Sequence, residues 1–262
     1  MGDDSQDAGV QVLSVEDSLG ARLLPFVLSV TAGSLDVIGF LGLDGLFTAH
    51  VTGNVVVLAA KLVVGKPAPL LHLIAVPVFM VVLALTKLLV AGLDRIRAAS
   101  LLPLLLLQFL LLSGSFFSWL AAGPNLNLNA AVMTVAGTLG VSAMAVQNAL
   151  VRVSLRGAPS TAVMTTNITV FTMDVCEMLL SRDLSRTAKV RDRARCTWPA
   201  IAGFVLGCGL GASCEAAFGM WSLVLPAGCA LAALLLGFAA TIRHRAAKRA
   251  YNTREQRSRP QD

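Results

Sequence analysis

The sequence predicts an all-α integral membrane protein, with six spanning helices and two polar-started segments that dip into the bilayer without crossing it. Three observations predict this class. Hydrophobic residues make up 56% of the 262 and charged residues 14%, against about 25% in soluble domains. Six apolar stretches reach the roughly 20 residues that a crossing helix needs. The charges are pushed to the ends: Asp3, Asp4, Asp7, Glu16 and Asp17 precede the first base, and bases dominate from Arg243 to Arg259.

Taken in order, residues 1–21 are acidic and lack an apolar core, so they read as a disordered cytoplasmic tail and not a signal peptide. One membrane domain is expected over residues 22–242. Its spans are Arg22–Leu43, Leu70–Gly92, Leu101–Ala122, Leu128–Val153, Trp198–Phe218 and Trp221–Ile242. Leu46–Gly65 and Ser160–Leu180 are long enough to cross, yet each opens with a polar cluster. The basic run Arg182–Arg195 reads as a solvated loop, and residues 243–262 as a basic, flexible cytoplasmic tail. Lys87, near the end of its span, is expected to snorkel to the surface.

Loop charge arbitrates the two ambiguous segments. Eight full spans would leave Lys87, Arg95, Arg97, Arg152 and Arg156 outside. Two dipping segments leave only Lys61 and Lys66 there. Basic loops collect in the cytoplasm, so six spans and two dips are preferred, with seven or eight full spans as the alternative. Both termini are then cytoplasmic, in a bacterial inner membrane. The formal charge of +6 is explained by this rule, and nucleic acid is not an expected partner. The expected partners are the lipid bilayer and a small solute or ion.

Six spans give two halves, 22–122 and 128–242, each ordered span, dip, span, span. An odd number of spans places the halves in opposite orientations, the inverted repeat of many secondary transporters. "TAHVTGNVVV" from Thr48 aligns with "TAVMTTNITV" from Thr161, with Thr48/Thr161, Ala49/Ala162, Thr52/Thr165, Asn54/Asn167 and Val57/Val170 identical.

At these residues the chain resembles a known family. "TAGSLDVIGF" and "FTAHVTGNVVVLA", followed by "AMAVQNALVR" and "STAVMTTNITVF", are similar to the YoaK-like bacterial membrane proteins, a domain family of unknown function. The resemblance runs from Arg22 to Ile242. In the family pattern Gly is usual where Thr166 stands and where Ala145 stands. The resemblance implies a multi-pass inner-membrane protein and supplies no substrate or reaction.

The candidate site follows from the polar residues in apolar surroundings. An ionised Asp at a helix centre costs about 2.5–3.5 kcal/mol on insertion scales, and such residues often mark ion or solute paths. Asp36, between Gly33 and Gly39, is such a residue; it could equally fasten two helices. Gln147 and Asn148 hold the corresponding place in the second half. A helix that begins inside the membrane must satisfy its first N–H groups, and Thr and Asn are capping residues. Thr52, Gly53 and Asn54 are therefore expected to face Thr165, Thr166 and Asn167 at one polar centre bordered by Asp36 and Gln147. His50 is either a proton shuttle or a hydrogen-bonded packing histidine. His72 is expected at the interface. Asp174 and Glu177, three apart on one helical face, read as the wet side of an amphipathic segment, with a cation site as the alternative.

No pair of histidines has metal-ligand spacing, and no cofactor is expected. The five cysteines form no CxxC and read as small packing residues. No Walker loop, dinucleotide fingerprint or GxSxG is present, so an enzyme is not expected. The leading expectation is a small-solute secondary transporter or permease. A non-transporting accessory or scaffold protein is the rival.

Overall fold

The computed structural model describes residues 19–65, 70–122, 130–155, 157–181 and 183–258. The acidic tail up to Ser18, and Lys66, Arg156 and Arg182, lie outside the described residues. Eight helices follow in order: α1 (Leu19–Gly42), α2 (Gly53–Val63), α3 (Leu70–Arg95), α4 (Leu101–Ala122), α5 (Ala130–Ser154), α6 (Met164–Leu180), α7 (Leu184–Phe218) and α8 (Val224–Ser258). Six of them, α1, α3, α4, α5, α7 and α8, are long and apolar enough to cross a membrane. At 1.5 Å per residue, the 11 residues of α2 reach only about 16 Å, well short of a hydrocarbon core of about 30 Å. The 17 residues of α6 reach about 25 Å, and Asp174 is buried within it.

Three expected boundaries are corrected. From Leu184 onward the basic run up to Arg195 is helix and not a solvated loop, the start of α7. Asp183 starts it, accepting from the backbone N–H of Ser185 at 2.9 Å and from the Ser185 hydroxyl at 2.8 Å. Those bonds hold its carboxyl below the usual carboxylate range. Arg, Lys and Ala are good helix formers, while Val190 and Ala194 are buried. The last span begins at Val224, because Gly219–Trp221 forms a 3₁₀ turn. The basic tail continues α8 as helix to Ser258.

Two helices lie at the centre. In α1 and α5, 72% of the spanning window is buried, against 17% in α3. The helix pairs in substantial contact are α1 with α7 and α8, α5 with α3 and α4, α2 with α3, α6 with α7, α4 with α8, and α1 with α5. Exchanging α1–α4 for α5–α8 in order leaves this set of pairs unchanged.

The α1–α7 seam is built on small residues, which let two backbones approach in lipid. Gly203, Gly207 and Gly211 recur every four residues on one face of α7. They lie against the backbone of Phe26, Val30 and Ser34 in turn, and Gly33 answers from α1 against the carbonyl of Phe204. The numbers rise together, so α1 and α7 are parallel. Against α5 they run opposite. Gln147 bonds the carbonyl of Leu28, Gly140 lies beside Leu35, and Gly137 beside Leu43.

Candidate functional site

Asp36 sits on α1 two turns before its end and is only 3% exposed. The chain leaves α1 through a turn at Asp44 and Gly45, both with positive φ, and doubles back along α1. Gly39 makes that close return possible, since a Cβ there would lie 3.0 Å from the Leu46 carbonyl oxygen. The returning turn then presents its donors to Asp36. Oδ1 accepts from Thr48 N at 2.7 Å, Thr48 Oγ1 at 2.9 Å and Ala49 N at 2.6 Å. Oδ2 accepts from His50 N at 3.2 Å and meets His50 Nδ1 at 2.6 Å. A carboxylate offers about four lone-pair sites, and five contacts occupy them.

This arrangement answers why an apolar segment opens with polar residues, and it differs from the expected capping. Thr52, the residue before α2, makes no side-chain cap bond. The first N–H groups are satisfied by short backbone bonds, Gly53 N to His50 O at 2.8 Å and Asn54 N to Val51 O at 3.1 Å. Asn54 instead folds back and holds Phe47 through both backbone groups. Its Oδ1 accepts from Phe47 N at 2.8 Å, and its Nδ2 donates to Phe47 O at 2.7 Å.

The second half repeats the device with different chemistry. Asn167 Nδ2 donates to the Ser160 carbonyl at 2.6 Å, again seven residues earlier. Thr161, aligned with Thr48, accepts from Gln147 Nε2 at 2.9 Å. Gln147 accepts in turn from Gln108 Nε2 on α4 at 2.7 Å. Thus Gln147 holds its returning turn through a neutral amide where Asp36 uses a carboxylate. Asn148, beside it, donates to the Met144 carbonyl of its own helix at 2.8 Å.

The structure does not bring the two clusters to one centre. Gln147 is level with Leu28, and Asp36 lies eight residues further along α1, about 12 Å away along the axis. The clusters therefore flank the middle of the α1–α5 pair on opposite sides. Among the described residues no hydrogen bond joins Asp36 to Gln147. Thr52, Thr165 and Thr166 are exposed.

Each cluster has its own cavity. Beside the first, a cleft of about 390 Å³ lies between α1, the Phe47–His50 turn and α7, with Phe40 and Phe204 in its walls. His50 stands edge-on to Phe204, ring centroids 5.3 Å apart. Beside the second, cavities of about 400 and 610 Å³ share Ser160 and Thr166. These are lined by polar and charged groups, Arg152 in one and Lys189, Asp192 and Arg193 in the other.

One further residue, Asp174, differs from expectation. Asp174 is not on a wet face: it is fully buried and forms a forked pair with Arg193 of α7, Nε at 3.0 and 2.9 Å from its oxygens. Glu177 pairs with Arg186. His72, in the first turn of α3, is buried within the protein beside Gly45 and 2% exposed. Sequence reasoning also missed Gln108 and the glycine stripe of α7. The fourfold spacing of Gly203, Gly207 and Gly211 was a signal for the stripe; a lone Gln in an apolar span was a weaker one for Gln108.

No curated protein and no solved structure matches the chain. Residues 24–236 match the family described as a protein of unknown function, DUF1275. The chain is a multi-pass membrane protein and belongs to that family, as its "DVIGF" and "VTGN" motifs led one to expect.

Proposed function

We propose that the protein is a small-solute permease of the bacterial inner membrane, with both termini cytoplasmic and its halves related as an inverted repeat. The observation that carries this reading is the duplicated turn. Thr48 on Asp36 and Thr161 on Gln147, with Asn54 on Phe47 and Asn167 on Ser160, form the same kind of brace at two levels of the α1–α5 pair. Broken segments set between continuous spans, each beside a cavity, are how transporters form sites within lipid. The helix pairing that survives exchange of the halves supports the same relation.

The reading assigns no reaction to the chain. Ser34 and Ser142 donate to carbonyls of their own helices, at 3.1 Å to Thr31 and 2.7 Å to Thr138. The test is thermal stabilisation of the purified protein across a broad solute panel, since a ligand that binds the native state raises its apparent stability. A stabilising solute should then move across proteoliposomes containing the protein. Stabilisation without flux would contradict a permease.

A specific observation favours the rival reading, a membrane accessory or scaffold protein. The two clusters lie at different levels of the α1–α5 pair, and the second is tied to the first half through Leu28 and Gln108, contacts that fasten helices together. Flux separates the two readings, because a scaffold carries none.

A further inference from the structure

The cleft beside Asp36 has an unusual balance of chemistry. Its walls are Phe40, Phe47 and Phe204 with neighbouring aliphatic side chains, and its polar groups are Asp36, His50 and the Cys208 thiol. Asp36 is already saturated by the turn, so it has no lone pair for a cation or an amine. The other contacts to Asp36 all come from N–H or O–H donors, so the carboxylate is the acceptor and His50 Nδ1 carries the proton toward it. That leaves His50 Nε2, which has no hydrogen-bond partner among the described residues, as the one polar atom of the pair free to meet a ligand.

We propose that this cleft binds a small carboxylic acid, its acid group on His50 Nε2 and its hydrocarbon part against Phe40, Phe47 and Phe204. The volume of about 390 Å³ falls within the range of about 300–1,000 Å³ of small-molecule sites, which are mostly apolar with few polar anchors. A sugar or other polyol would bring many polar groups to a site with one anchor. A pure hydrocarbon would leave Nε2 unpaired. An amine would find its carboxylate spent.

A carboxylic acid fits either position of the proton. With neutral imidazole, the acid O–H donates to Nε2. When the proton crosses, the acid O–H bond breaks and the Nε2–H bond forms. The carboxylate then accepts from an imidazolium whose charge Asp36 balances. Total charge is the same in both states. An alcohol satisfies only the first. Asp36 from α1 and the Cys208 thiol from α7 are the titratable groups that face His50 in the cleft. As the solute of the permease, this acid depends on the transport reading; as a ligand of the cleft, it does not.

The test uses the full chain in nanodiscs with ¹⁵N-labelled histidine. The chain has three histidines, and His50→Asn assigns the relevant resonance. Benzoic acid is the probe, with benzylamine and benzyl alcohol beside it. The expected result is a saturable shift of the His50 signal with benzoic acid, none with benzylamine, and roughly tenfold weaker binding in Phe204→Ala. The His72 signal checks that each variant is folded. An absent or non-saturating shift overturns the site, as does an equal response to benzylamine or unchanged affinity in folded Phe204→Ala. A saturable shift without benzoate flux in proteoliposomes keeps the site and removes the transport reading. Flux of another solute with no shift does the reverse.

Discussion

Asn54 and Asn167 make the same hydrogen bond in the two halves of the molecule, each from its side-chain Nδ2 to the carbonyl seven residues earlier, at 2.7 and 2.6 Å. Both are buried. A turn that re-enters lipid has no water for its carbonyls, and an Asn at this position supplies the missing donor. Asn54 also accepts from the N–H of the same residue, so its turn is held twice.

That difference predicts unequal substitutions. Asn54→Ala strands the part-buried N–H and carbonyl of Phe47, and Asn167→Ala strands the Ser160 carbonyl alone. At about 1–3 kcal/mol per unsatisfied buried group, Asn54→Ala should lower the melting temperature roughly twice as far. Thermal unfolding of both variants in one detergent is the check; equal shifts would refute the two-bond account of Asn54.

Asp36→Asn should loosen the first turn without unfolding the bundle. The Asn side chain keeps one acceptor oxygen and turns an NH₂ toward donors that need an acceptor. Amide exchange at Thr48, Ala49 and His50 should speed up by roughly ten- to a hundredfold, the scale of about 1–3 kcal/mol. Exchange at Leu150 in α5 should not change. Unaltered protection at all three turn amides would mean that the carboxylate does not hold them.

The seam between α1 and α7 gives a paired prediction. A Cβ at Gly207 would collide with the backbone of Val30, which cannot step aside, whereas a Cβ at Gly209 meets nothing within 4 Å. Gly207→Ala should therefore destabilise by about 1–3 kcal/mol, and Gly209→Ala should be neutral or stabilise by up to about 1 kcal/mol through helix propensity. Melting temperatures of the two variants settle it. A harmless Gly207→Ala would place α7 further from α1 than described.

The pair between Asp174 and Arg193 should matter more than its neighbour. Removing Arg193 leaves a fully buried carboxylate without its partner, which is costly. Arg195 and Asp192 are both well exposed and 3.9 Å apart, and such pairs contribute little. Arg193→Ala should lower the melting temperature clearly and Arg195→Ala hardly at all. The reverse order would contradict the pairing.

Much of this molecule was legible in one dimension, and the reasons are physical. Six spans can be read because about 20 apolar residues suffice to cross a bilayer. The two short helices were marked by polar residues where a span should be greasy. Asp36 stood out because charge is rare in lipid. What was not legible depended on level and on partners. The alignment of Thr48 with Thr161 says nothing of depth. The antiparallel crossing of α1 and α5 sends residues near the C-terminal ends of both helices to opposite sides, so Asp36 and Gln147 separate. Asp174 was misread because its partner lies in a run that resembled a loop.

The account stands on two halves that enter the membrane from opposite faces, with α2 and α6 dipping and not crossing. Its most direct test is thiol labelling at two described turns, Asp44→Cys and Gly157→Cys, in a chain whose five native cysteines are replaced. With six spans, α1 and α5 end on opposite sides of the membrane. An impermeant reagent added outside intact cells should label position 44 and leave position 157 unlabelled until the cells are opened. With eight spans both turns lie on the same face, and equal labelling from outside would contradict the inverted arrangement.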